Sequence, residues 1–207
     1  MNSMKPTEIL ENEHRIIEQV LSALETMADQ NESSKKLDCG AARDMIEFFR
    51  MFADRFHHAK EERHLFACLE AHGMPRDGGP TGVMLSEHEM GREFVAKMDQ
   101  AVNVYEHGNV AGLKDFVKAA RSYVPLLREH IQKEDHCLFA ITNQSLSRAE
   151  QENLMKAFRE EEAQSAREKP LDYYPRKAQE LARRFPACAC HSQDGAPRAC
   201  GSSCGGF

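Results

Sequence analysis

The sequence contains no tryptophan, and no apolar run approaches the roughly 20 residues that a membrane-spanning helix needs. It also lacks a basic run with interleaved aromatic residues, and its 33 acidic and 27 basic residues give a formal net charge of −6, so nothing points to nucleic acid. Residues 1–13 contain no apolar segment of the kind found in secretory signal peptides. We therefore expect a cytoplasmic protein that binds neither membranes nor nucleic acid.

Alternating apolar and polar runs and hairpin turns, the signals of β-strands, are almost absent. Apolar residues recur instead at helical spacing, which predicts four long helices at about 7–30, 38–72, 81–107 and 110–142, with a kink at Pro125 in the fourth. Ser147-Arg-Ala-Glu150 is a capping box that opens a fifth helix ending near residue 166. The short connections favour an all-α fold, an antiparallel up-down-up-down four-helix bundle with an extra C-terminal helix and a Cys-rich tail.

The seven cysteines fall into two groups. Three lie in the helical part and are expected to be buried and inert, with the alternative that Cys137 lies near a metal: Cys39, Cys68 and Cys137. Four crowd the C-terminus beside one imidazole: Cys188, Cys190, His191, Cys200 and Cys204. This set could hold a structural zinc ion, or the tail could be disordered or redox-active. We divide the chain into a body, 1–166, and a C-terminal extension, 167–207.

Two of the ten histidines begin a repeated pattern. The segments His57-His-Ala-Lys-Glu61-Glu-Arg-His-Leu-Phe and His130-Ile-Gln-Lys-Glu134-Asp-His-Cys-Leu-Phe share His, Lys, Glu, Leu and Phe at five offsets. A His-x-x-x-Glu spacing places both side chains on the same face of a helix, one turn apart. Each segment therefore offers an imidazole and a carboxylate to one point in the interior of a bundle.

The other two long helices each carry a histidine on an apolar face, His14 on the first and His88 on the third. Four imidazoles and two carboxylates exceed the ligands of one tetrahedral site and fit two metal ions bridged by Glu61 and Glu134. Mixed imidazole and carboxylate ligation favours iron, so we predict a di-iron centre. The alternative is a structural bundle in which the repeated pattern is accidental.

The order of these motifs, together with Ser86-Glu-His88-Glu-Met-Gly-Arg92, resembles the hemerythrin-like family of cation-binding domains over about residues 8–142. The resemblance implies an antiparallel four-helix bundle with a non-heme di-iron site, with or without an oxo bridge, that binds oxygen. One departure concerns the third helix, where oxygen-carrying hemerythrins have a second histidine one turn after the first and this chain has Arg92. That departure puts reversible oxygen carriage in doubt, although not metal binding.

The missing ligand could be replaced by His58 or by a nearby carboxylate. His58 and Glu62 have the same spacing as the first pair but point about 100° away from it on a helix. The repeat aligns His58 with Ile131, so His57 and Glu61 are the preferred ligands, while Glu62 is expected to be solvated. Surface positions or positions behind the ligands are expected for His64 and His136.

The resulting hypothesis is a di-iron protein that binds, senses or stores O2, NO or iron. The alternative is an enzyme, an oxidase or peroxide-consuming protein, or a donor of iron for the repair of Fe–S clusters. A ferritin-like site is disfavoured because its Glu-x-x-His patterns, Glu11-x-x-His14 and Glu61-x-x-His64, both fall in the first half of the chain.

Overall fold

The computed structural model describes residues 4–187, in which every regular element is a helix. The α-helices of this range are α1 (Pro6–Ser34), α2 (Cys39–Phe48), α3 (Phe66–Ala71), α4 (Pro80–Glu106), α5 (Ala111–Lys133), α6 (Phe139–Ser145), α7 (Arg148–Ser165) and α8 (Tyr173–Arg184). Three π-helical segments accompany them: π1 (Phe49–His58), π2 (Glu61–Leu65) and π3 (Glu134–Leu138). The tail residues Cys188, Cys190, His191, Cys200 and Cys204 lie outside the described residues, so the zinc site stays a prediction.

The helix ends follow local sequence signals. The Asp38 side chain accepts a hydrogen bond from the Ala41 amide and caps α2, and Pro80 occupies the first turn of α4, where its missing amide proton costs nothing. The predicted capping box of α7 is confirmed, since the Ser147 hydroxyl and the Glu150 carboxylate each accept a hydrogen bond from the other's backbone amide.

The second and fourth predicted helices are continuous but irregular. Helical structure runs unbroken from residue 39 to 71 through π1 and π2, and from residue 111 to 145 through π3. Two π segments begin at Glu61 and Glu134, the carboxylates of the two His-x-x-x-Glu pairs. Wide turns of this kind are rare in helices and concentrate at functional sites.

Two apolar clusters fill the interior of the bundle. A large cluster joins α1, α2, π1, α4, α5 and α8 around residues such as Leu21, Phe49 and Phe116. A small cluster joins the beginning of α1 to α3, α6 and α7 around residues such as Leu10 and Phe158. Helices α4 and α5 approach each other closely at Gly112, where a Cβ would lie 2.4 Å from the Ala101 carbonyl oxygen of α4.

The last two helices belong to this packing. Phe158 of α7 is fully buried in the small cluster, while Leu181 and Phe185, in and just after α8, are buried in the large cluster. The residues after 166 therefore contribute to the core, and the domain boundary at 166/167 stays a prediction. No helix within residues 4–187 has both the length and the apolar character needed to cross a bilayer.

We expect Leu181→Ala to lower the free energy of unfolding by about 2–4 kcal/mol, because it removes a buried side chain and leaves a cavity. Leu171→Ala is the matched control, since Leu171 is 53% exposed whereas Leu181 is 3% exposed. Urea unfolding followed by circular dichroism measures both. Equal stabilities of the two variants would contradict the docking of α8 on the core.

Candidate metal centre

The seven side chains predicted as metal ligands converge in the interior of the bundle. They form two groups of potential donor atoms, each spanning no more than 4.8 Å: His58, Glu61, His88 and His130 in group one, and His14, His57, Glu61 and Glu134 in group two. All seven are buried. Because Glu61 belongs to both groups, the two groups form one continuous centre.

The two carboxylates lie between imidazoles of both groups. One oxygen of Glu61 is 3.5 Å from His57 Nε2 and the other is 3.6 Å from His88 Nε2. Glu134 Oε2 lies 3.2 Å from His130 Nε2 and 3.3 Å from His14 Nε2. Each carboxylate is therefore placed where it could bridge two metal ions.

The centre lies between the two apolar clusters. Along α1, Leu10 belongs to the small cluster and Ile17 to the large one, with His14 between them. Along the continuous helix of residues 111–145 the order is reversed, with Ile131 of the large cluster before Glu134 and Leu138 of the small cluster after it. Apolar layers above and below the ligands exclude water and strengthen electrostatic interactions within the centre.

His58 lies against His88, the histidine of the third predicted helix. Its ring stacks on that of His88, with centroids 3.7 Å apart. Burial lowers the pKa of His58 and, together with the neighbouring imidazoles, holds the pKa of His88 well below its usual range. Two stacked neutral rings carry no charge repulsion and keep their nitrogen lone pairs for a metal.

A carboxylate on a neighbouring helical segment contacts the Nδ1 atom of each of four imidazoles of the centre, on the side of the ring away from Nε2. The Nδ1 atoms of His57, His88, His130 and His14 lie within hydrogen-bond distance of Glu13 (2.9 Å), Glu62 (2.7 Å), Glu87 (3.0 Å) and Asp135 (2.7 Å), respectively. Donation from Nδ1 fixes the tautomer and directs the Nε2 lone pair into the centre. The expectation that Glu62 is solvated is wrong, because Glu62 turns toward His88.

These carboxylates form a closed ring around the bundle. In each case an acid adjacent in sequence to one predicted ligand contacts the imidazole on the following helical segment. Glu13, next to His14, contacts His57, and Asp135, next to Glu134 on the last segment, contacts His14 and so closes the ring. Each acid is in turn paired with a cation, in the pairs Glu13–Lys60, Glu87–Lys133, Asp135–Arg15 and Glu62–Arg92. Sequence reasoning did not identify this ring, although charged residues adjacent to each predicted ligand were a signal for it.

Arg92, the residue that departs from the oxygen carriers, joins one of these acids, Glu62, to a further acid, Asp54. Its guanidinium donates to Asp54 at 2.8 Å and to Glu62 at 2.6 Å. Asp54 lies 3.4 Å from His58 Nδ1, and Glu62 supports His88. Arg92 therefore fixes the supports of the stacked pair instead of supplying a ligand.

The unpartnered atoms of the centre fit a cation. Both oxygens of Glu61 and of Glu134, and Nε2 of His14, are buried without a hydrogen-bond partner among the described residues. Buried polar atoms without partners are costly and rare in folded proteins. Carboxylate oxygens and an imidazole nitrogen facing one space are the donor set of a transition metal.

The pKa values of these groups reflect their confinement. Burial and the neighbouring Glu134 charge raise the pKa of Glu61 well above its usual range. Burial disfavours the charged forms of Glu134 and His130, but the attraction between their opposite charges outweighs burial. The pKa of Glu134 is therefore lowered well below its usual range, and the pKa of His130 is raised to about 9. Glu61 and His130 thus favour their protonated forms, and a metal ion that binds them must displace these protons.

The remaining histidines and cysteines of the described range lie away from the centre. His64 is half-buried and contacts Glu161 of α7 at 3.1 Å. The prediction of buried cysteines is wrong: Cys137 is exposed and Cys39 and Cys68 are partly exposed. In π3 the buried positions are Glu134 and Leu138, so the intervening residue Cys137 faces outward.

The family comparison agrees with this geometry. Residues 5–142 match the model of the hemerythrin HHE cation binding domain, a range that includes every ligand of the two groups. Searches of curated proteins and of solved structures found no match. With two thirds of its length matched and its His and Glu side chains gathered in two candidate cation sites, the chain belongs to the hemerythrin HHE cation-binding family.

Proposed function

We propose that the centre holds two non-heme iron ions and binds O2 or NO. The observation that carries this proposal is the position of Glu61, whose two oxygens face imidazoles of different groups. His58, His88 and His130 would hold one ion, and His14 and His57 the other, with Glu61 and Glu134 between them. Mixed nitrogen and oxygen ligation suits iron.

The donor set leaves room for an exogenous ligand. Five imidazoles and two carboxylates supply fewer donor atoms than two octahedral ions accept, and iron with an open position supplies affinity for diatomic gases. The chain's own contribution is to fix the imidazoles through the carboxylate ring and to exclude water through the two apolar clusters. Both features suit binding of a small apolar gas.

We also propose that the four ligand-bearing segments run up-down-up-down. Support comes from α5, which packs along both α4 and α1 and is connected to α4 by a short turn. Consecutive helices joined by short connections are antiparallel neighbours in bundles of this kind.

The proposal is tested by loading the full-length protein with ferrous iron, counting iron per chain, and recording the optical spectrum as NO or O2 is added and removed. We expect two irons per chain and a charge-transfer band that appears with the gas and disappears on its removal. Binding of only zinc, or a spectrum insensitive to both gases, would contradict it. Rapid consumption of hydrogen peroxide by the iron-loaded protein would instead favour an enzyme.

The carboxylate ring makes a separate prediction at His130. We expect Glu87→Gln to weaken iron binding by about 10–100-fold, because loss of a carboxylate behind a ligand imidazole has effects of this size. Glu93→Gln is the matched control on the same helix, since the Glu93 side chain is 69% exposed and pairs with Lys97 at the surface. Competition with a chelator measures both affinities. Equal iron affinities of the two variants would show that the Glu87 carboxylate does not strengthen iron binding through His130.

A further inference from the structure

A cavity of about 180 Å³ lies outside the metal centre, between π1 and π2 on one side and the end of α7 with its connection to α8 on the other. Aromatic and aliphatic side chains line much of it: Met51, Phe52, Phe56 and Tyr174. These side chains give the cavity an apolar surface against which a ring can pack.

Cationic side chains also line this cavity. Arg55 pairs with Glu168 at 3.2 Å and Arg63 with Glu161 at 3.2 Å, and each uses one terminal nitrogen of its guanidinium for that contact. Lys169 adds a third cation but pairs with Glu47 outside the lining, so the guanidinium groups of the two arginines supply the donors for an anion. A planar guanidinium with free donors matches a carboxylate in two-point geometry.

We propose that this cavity binds a small monocarboxylate with an aromatic or branched aliphatic body. An apolar cavity of about 150 Å³ is large enough for benzene, so the volume here accommodates one ring. The ring would contact Phe52 and Phe56, and the carboxylate would be bound by Arg55 and Arg63.

The cavity adjoins the supports of the metal centre without sharing a ligand with it. Phe56 lines the cavity, and the Lys60 ammonium lies 3.9 Å from the centre of its ring. Lys60 pairs with Glu13, which in turn holds His57. A path of three side chains, Phe56, Lys60 and Glu13, therefore leads from the cavity to His57.

The proposal is tested by calorimetric titration of benzoate into full-length, iron-loaded protein, with benzamide as the neutral analogue. We expect benzoate to bind and the double variant Arg55→Gln/Arg63→Gln to weaken binding by a factor of about ten, as expected for loss of charge-assisted hydrogen bonds. Arg50→Gln/Arg121→Gln is the matched control, since both arginines form surface ion pairs away from this cavity, and we expect its affinity to stay within about twofold of the parent.

A second variant tests the cavity itself. Ser165→Phe at the end of α7 places a ring in the lining and is expected to abolish binding while leaving the iron content unchanged. Three results would overturn the proposal: benzamide binding as tightly as benzoate, displacement of benzoate by inorganic phosphate, or benzoate binding that survives Ser165→Phe. The last result would place the carboxylate on the iron instead of in the cavity.

Discussion

Glu61→Gln is expected to reduce the iron content from two ions per chain to nearly none, because Glu61 is the only member shared by both groups of ligands in the described residues. Glutamine has almost the same volume, so the substitution removes a charge and one strong donor without opening a cavity. Burial and the charge of Glu134 already raise the pKa of Glu61 well above its usual range, so loss of the carboxyl group is not expected to unfold the metal-free protein. Elemental analysis and circular dichroism measure the two quantities.

Two single-group variants provide the control for this result. His88 belongs only to group one and His57 only to group two, so we expect His88→Gln and His57→Gln each to leave about one iron per chain when a single ligand of one site is lost. If Glu61→Gln also keeps one iron, Glu61 does not bridge and the two groups are independent sites. If the histidine variants lose both ions, the centre assembles only as a unit.

The side chains gathered in the two candidate cation sites could be predicted from sequence because their spacing carries the information. In His57-x-x-x-Glu61 and His130-x-x-x-Glu134, helical periodicity alone aligns an imidazole and a carboxylate on one face. The helix positions could also be predicted, since proline, capping residues and glycine mark the ends. His58 could be identified only as an alternative, because a helix of regular pitch points it away from His57.

The wide turns and the carboxylate ring could not be predicted in the same way. A π segment inserts extra backbone into a turn and rotates the side chains around it, so that both His57 and His58 contribute to the centre. The partner of each supporting acid lies on another helix, as Glu62 shows with His88. Such pairing depends on the relative rotation of two helices, which the periodicity of either helix alone does not determine.

Substitution of Lys60 is expected to lower the stability of the protein strongly, because its ammonium is fully buried between carboxylates. It pairs with Glu13 and lies 3.1 Å from Glu162 of α7, so it connects the support of His57 to the fifth predicted helix. Burial raises the pKa of Glu13 to about 7 even with Lys60 beside it. We therefore expect Lys60→Met to lower the free energy of unfolding by about 3–5 kcal/mol, the cost of leaving a buried charge without its partner.

The control for Lys60→Met is Lys97→Met, because Lys97 also pairs with a glutamate and lies over an aromatic ring, that of Phe94, but is 56% exposed. We expect that control to cost less than about 1 kcal/mol. The double variant Lys60→Met/Glu13→Gln is expected to regain much of the lost stability, since it removes the orphaned carboxylate as well as the ammonium. Urea unfolding of metal-free protein measures all three without a contribution from metal binding. A Lys60→Met variant as stable as Lys97→Met would show that the buried ammonium contributes no net stability, and Lys60 would then retain only its role in positioning Glu13 behind His57.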